Sequence, residues 1–122
     1  MQYAHARIHS LLKLALAEEA GAARPWMNAD TSLLTHPAEK ELIRKLAELP
    51  EEIVQAAADR EAHRLPRYAM DLAALYHSFY NECRCLVDEP GLRHARLLLC
   101  DATRIVLRDV LALIGVDAPE RM

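Results

Sequence analysis

The chain has 122 residues, 52% of them hydrophobic, with 3 glycines and a formal net charge of −3. That length serves one domain and is too short for two, and no apolar run approaches the ~20 residues of a bilayer span. The acidic balance excludes an indiscriminate polyanion binder, which is strongly basic, but leaves room for one that reads a few nucleotides through a local basic and aromatic patch.

Ala, Leu, Glu and Arg are prominent and β-branched residues scarce, so composition favours helix over sheet. The first helix is predicted from about Gln2 to Ala20, stopping near Gly21. Ile8, Leu11, Leu12 and Ala15 point inward, while Tyr3, Arg7 and Ser10 share the flank. His5 and His9 have the i, i+4 spacing of helical metal ligands, but no carboxylate in the first turn joins them, so they read as ordinary histidines. The stretch "LLKLALA" carries Lys13 and runs into Glu18 and Glu19, unlike a secretory signal. A loop follows, "GAARPWMNADTSLLT", with turn residues Gly21, Pro25, Asn28 and Asp30, and with Trp26 placed to pin it against the core.

The next helix lies in "THPAEKELIRKLAEL", where Thr35 or His36 caps, Pro37 suits the first helical position and Glu39 supports the first turn. Leu42, Ile43, Leu46 and Leu49 give its apolar face. Pro50 breaks this helix and starts a third, "PEEIVQAAADR". The fourth is predicted from about Leu65 to Leu86, with Tyr68, Leu72, Leu75, Phe79 and Leu86 toward the core. Beside them Tyr76, Tyr80 and Arg84 fall on one ridge, which serves either as a stacking platform for nucleobases or as an extension of the core. The fifth runs from Pro90 to Ile114 and ends at Gly115. Its apolar face holds Leu92, Leu99, Val106, Val110 and Leu113. Arg93, Arg96, Arg104 and Arg108 gather within an arc of ~120°, a stripe able to hold phosphates or to pair with carboxylates of neighbouring helices. The whole reads as an all-α single bundle of about five helices, with short connections and one longer loop after the first.

The odd count of 3 cysteines argues for a reducing compartment. Cys83 and Cys85 form C-x-C with no second pair to complete a zinc site. There is no Gly-rich phosphate loop and no nucleophile with evident partners. Glu18 with Glu19, and Glu51 with Glu52, point ~100° apart on a helix and form no carboxylate dyad. Nothing in these residues supports catalysis.

Four segments nevertheless carry a family likeness: "QYAHARIHSLL", "LTHPAEKELIRKLAELPEEI", "HRLPRYAMDLAALYHSFYNECRCL" and "ARLLLCDATRIVLRDVLALIGVDAPERM". In that order they resemble the C-terminal anticodon-binding domain, of the DALR type, of bacterial-type arginyl-tRNA synthetases. The resemblance implies an all-α domain over residues 1–122 that grips the anticodon arm of arginine tRNA. In the family a separate catalytic domain, with HIGH-like and KMSKS-like motifs, uses ATP and Mg to make arginyl-adenylate. Those motifs are not in this sequence. The chain is therefore expected to be a C-terminal fragment, inactive alone, cytoplasmic and without a cofactor of its own. Its expected partners are arginine tRNA and the missing catalytic domain, with neither membrane nor DNA among them. Tyr3, Tyr80 and Met122 match positions at which the family touches anticodon nucleotides. Arg84, one helical turn past Tyr80, and Gln2, His5, Arg7 and Tyr76 are assigned to the same face, with the arginines at 93, 96, 104 and 108 as weak phosphate contacts. The competing expectation is a free-standing helical protein-interaction module, for which Trp26, Met27, Leu33 and Leu34 offer apolar loop residues.

Overall fold

Pro37 and Pro90 each follow a side chain able to cap a helix, and each begins one. The computed structural model describes residues 2–18, 26, 29–59 and 63–115. They form five α-helices, α1 (Gln2–Glu18), α2 (Pro37–Ala47), α3 (Leu49–Asp59), α4 (Arg64–Glu82) and α5 (Pro90–Leu113), with a short 3-10 turn at Thr31–Leu33. No strand occurs among the described residues. Among the described residues, no helix is long and apolar enough to cross a membrane.

The cap of α2 is reciprocal. His36 Nδ1 accepts from the Ala38 N–H at 3.0 Å, and the His36 N–H donates to Glu39 Oε1 at 2.9 Å. Such a box satisfies two of the N–H groups that a helix start leaves without intrahelical partners. At α5 the Glu89 carboxylate does comparable work, accepting from the Gly91 and Leu92 N–H groups at 2.9 and 2.6 Å. The far end of α5 is closed by Gly115, whose φ of 79° lies in the left-handed region that glycine enters without Cβ strain.

Helix α5 is the centre of the assembly. It packs against α1, α4 and α2, while α2 and α3 lie on α4. Leu97, Leu107, Val110 and Leu111 are fully buried, as are Cys100 and Thr103. With Ala95, Leu99, Asp101 and Arg104, also buried, they occupy roughly two-thirds of the circumference of the helix, which packs against three others. The expected single apolar face is corrected accordingly. Leu99 and Val110 are buried but Leu113 is 58% exposed, while Leu97, Leu107 and Leu111, on the same arc as the arginines, are inside. On α2, Leu42 is buried whereas Ile43 is exposed.

Helix α4 is shorter than predicted. Its last turn closes with the Cys83 N–H donating to the Phe79 carbonyl at 2.8 Å, and Cys83 then turns extended at φ −122°, ψ 115°. Arg84 and Leu86 are therefore outside the helix, and the ridge of Tyr76, Tyr80 and Arg84 does not exist as a helical row.

Trp26 pins its segment to the core. The side chain is 1% exposed, and Nε1 donates to Asp101 Oδ2 at 3.1 Å. Asp101 Oδ1 accepts from Arg104 Nε and Nη2 at 3.0 and 2.8 Å. Asp101→Ala would leave a largely buried guanidinium without its counter-charge, a loss of about 3–5 kcal/mol. The urea midpoint, followed by fluorescence of this single tryptophan, is expected to fall by the corresponding amount; an unchanged midpoint would show that the pair contributes nothing.

Candidate nucleic-acid interface

Tyr3 and Arg7 lie one turn apart on α1, and Tyr80 is in the last turn of α4. The packing brings the three together. The Arg7 guanidinium carbon lies 4.6 Å from the centroid of the Tyr80 ring and 5.5 Å from that of Tyr3. Both rings are exposed, Tyr3 by 54% and Tyr80 by 36%. They edge a groove of about 390 Å³ lined also by Ala6, Ser10, Leu11 and Leu14. That volume falls within the roughly 300–1,000 Å³ typical of small-ligand sites. The groove offers two aromatic faces, an apolar floor, a guanidinium fork and a hydroxyl. This combination can stack a planar group and hydrogen-bond its edge.

His77 completes the cluster, and sequence reasoning missed it. Its ring centroid is 6.1 Å from that of Tyr3 and 6.0 Å from that of Tyr76, so it stands between the groove and the core. Burial and then the nearby Arg7 charge lower its pKa from the ordinary 6.5. Its position one turn before Tyr80 was the available signal.

The other predicted residues distribute differently. Tyr76 is 1% exposed. Its ring packs against Phe79 at 6.0 Å and Tyr80 at 6.1 Å, and burial drives its hydroxyl pKa far upward. It supports Tyr80 from beneath and presents no surface. His5 is 3% exposed, facing the α1 interior. Gln2 is half-buried and Arg84 exposed, and the Arg84 carbonyl accepts from Arg96 Nη1 at 2.7 Å. Met122 lies outside the described residues.

For two arginines of the stripe the structure matches the carboxylate-pairing alternative. Arg96 Nε donates to Glu39 Oε2 at 2.8 Å, with the Glu39 side chain 1% exposed. Arg104 is held by Asp101 inside the bundle. Both cations are consumed internally: Arg96 reaches the start of α2, and Arg104 pairs within α5 itself. Arg108 is exposed beside Asp109, 3.5 Å away, and Arg93 is half-buried. Among the described residues no group of three or more His, Cys, Asp or Glu side chains could hold a metal ion.

An all-helical bundle with an aromatic and cationic groove at its rim is the class of domain defined here. The chain belongs to the DALR anticodon binding domain family, which it matches over residues 1–122. It is 57% identical over 127 aligned positions to the arginine–tRNA ligase of Heliobacterium modesticaldum, an alignment covering 100% of this chain and 22% of that protein. The ligase of Symbiobacterium thermophilum is 54% identical, with the same coverage of each. The chain thus spans about a fifth of the length of these relatives. Among solved structures, Thermus thermophilus arginyl-tRNA synthetase superposes with a TM-score of 0.81 at 35% identity, covering 99% of this chain and 20% of that one. A putative arginyl-tRNA synthetase from Campylobacter jejuni gives a TM-score of 0.85 at 26% identity, covering 99% of this chain and 25% of that one.

The His77 environment makes a pH prediction. Folding favours its neutral form, so its contribution to stability is present above the ordinary value of 6.5 and is lost as pH falls through the lowered one. A proton NMR titration should find His77 below that ordinary value. Arg7→Ala should move its midpoint upward, though not all the way, because burial remains the larger cause. A midpoint unmoved by the substitution would separate Arg7 from His77.

Proposed function

We propose that this chain is the part of an arginyl-tRNA synthetase that holds the anticodon arm of arginine tRNA. In this reading it works beside a catalytic domain that supplies the ATP- and Mg-dependent aminoacylation, in the cytoplasm where translation takes place. One observation carries the proposal: Tyr3 and Tyr80, remote in sequence, flank one guanidinium in a single exposed groove. Anticodon loops present unpaired bases, and proteins read such bases by stacking them on aromatic rings and by hydrogen bonds to their edges. In this reading the tyrosines stack, while Arg7 and Ser10 offer donors to a base edge. Of the arginines assigned to this face from the sequence, Arg84 and Arg108, both exposed, have access to phosphates. Met122 keeps the contact implied by its position in the family pattern. The net charge of −3 requires stacking, more than phosphate neutralisation, to provide the affinity.

Tyr80→Ala is expected to weaken binding to an arginine-tRNA anticodon stem-loop by about 5- to 150-fold, equivalent to the ~1–3 kcal/mol of one stacked base, with the helical circular dichroism unchanged. Equal affinity in both proteins would remove Tyr80 from the site. Absence of any RNA binding at low and moderate salt would favour the helical protein-interaction module instead.

This reading also places the chemistry outside these residues. The chain alone, given ATP, arginine and tRNA, should produce no arginyl-tRNA in a filter assay with labelled arginine. Measurable turnover would contradict it.

A further inference from the structure

The three cysteines are free and buried. Cys85 Sγ lies 3.6 Å from Cys100 Sγ, and the Cys100 thiol lies 3.9 Å from the Tyr76 hydroxyl. Cys100 is 0% exposed on α5, and Cys85 is 4% exposed. The two differ in setting: Cys100 sits in the middle of a long helix, whereas Cys85 belongs to the non-helical connection 83–89 between α4 and α5. A disulfide needs its sulfurs about 2 Å apart. The remaining gap is a small movement for a residue in a connecting segment.

We propose that Cys85 and Cys100 form a modification site for hydroperoxides, which oxidise the pair to an intramolecular disulfide tying the α4–α5 connection to the centre of α5.

The chemistry assigns the two thiols distinct roles. The hydrogen bond from Cys100 favours the Cys85 thiolate and lowers the Cys85 pKa, with burial opposing it and the Arg96 charge adding to it. The same partnership and complete burial keep Cys100 protonated. Cys85 is therefore the attacking group, reached when the connection opens locally. Its thiolate attacks the peroxide: an S–O bond forms, the O–O bond breaks, and the departing alkoxide or hydroxide takes a proton. Cys100 then attacks the Cys85 sulfenic sulfur: the S–S bond forms, the S–O bond breaks, and hydroxide leaves as water with the Cys100 proton. Two thiols and one hydroperoxide give one disulfide, one alcohol or water, and one further water. Cys83 is the internal control. It is equally buried at 2% exposed, but burial raises its pKa.

The sequence makes the test unambiguous, because trypsin cutting after Arg67, Arg84, Arg93, Arg96 and Arg104 places the three cysteines in separate peptides, 68–84, 85–93 and 97–104. The reduced chain is treated with hydrogen peroxide under native conditions, capped with iodoacetamide, digested without reductant and read by mass spectrometry. The expected product is peptide 85–93 joined to 97–104, lighter by two hydrogens than the sum of the reduced peptides and separated by reductant, on a chain that runs as a monomer in a non-reducing gel. Cys83→Ser should keep this link, and Cys85→Ser or Cys100→Ser should abolish it. The wild-type map decides the matter even if a serine variant fails to fold. Four outcomes would overturn the proposal: a link from 68–84 to 85–93, a linked dimer, sulfinic acid at Cys85 without a link, or three capped thiols at peroxide levels that oxidise the urea-unfolded chain. None of these readouts involves RNA, so the result is independent of the proposed function.

Discussion

A guanidinium carried into the interior of a protein must find its counter-charge there, and α5 carries Arg104 inside and Arg96 part-buried at its margin. Arg96 meets Glu39 at the start of α2, and Arg104 meets Asp101 one turn away on its own helix. Each carboxylate has a second task. Glu39 closes the α2 cap, and Asp101 receives the Trp26 indole. Arg96 reaches a third element as well, through the Arg84 carbonyl. Buried ion pairs of this kind often add little net stability over a well-packed apolar pair, yet breaking one partner is costly. Their consequence here is positional. With Glu39, Asp101 and Arg96 tying α5 to other elements, α5 cannot rotate or slide without breaking contacts at the α2 start, the α4–α5 connection and the Trp26 segment.

That fixation places the groove. Helices α1 and α4 both pack on α5, so the front of α1 and the end of α4 meet at a geometry set by their common neighbour. Tyr76 and His77 fill the seam, with Tyr76 beneath Tyr80 and His77 beside Tyr3. What remains for solvent is two rings and the cation between them. An exposed cation–π contact is worth only about 0.5–1 kcal/mol. Arg7 is therefore held in the groove weakly enough to exchange one ring for another partner, whereas the rings are backed by a core that does not yield.

Much of this was legible locally. The His36, Pro37 and Glu39 sequence reads as a helix start, and Gly115 as a helix end, because caps act within a few residues of themselves. The flank shared by Tyr3, Arg7 and Ser10 followed from helical spacing alone. The failures have a common physical origin in tertiary contacts. A helical wheel assumes one buried face, and α5 packs against α1, α4 and α2, so Arg96 and Arg104 meet carboxylates rather than water. Tyr76 on α4 lies inside, the core-extension alternative that its helical position had left open. The end of α4 was missed because Glu82, Cys83 and Arg84 include neither glycine nor proline. The chain leaves the helix there although no local breaker demands it, and Arg96 holds the Arg84 carbonyl from α5.

The charge distribution acquires a simple sense from these contacts. Of the arginines on α5, the two best placed to form a basic stripe are spent inside, which leaves the surface of an acidic chain with dispersed cations. Phosphate attraction scales with the number of accessible positive charges and is screened by salt. Stacking depends on neither. The space between Tyr3 and Tyr80, where the proposed stacking takes place, is set by the α1, α4 and α5 packing.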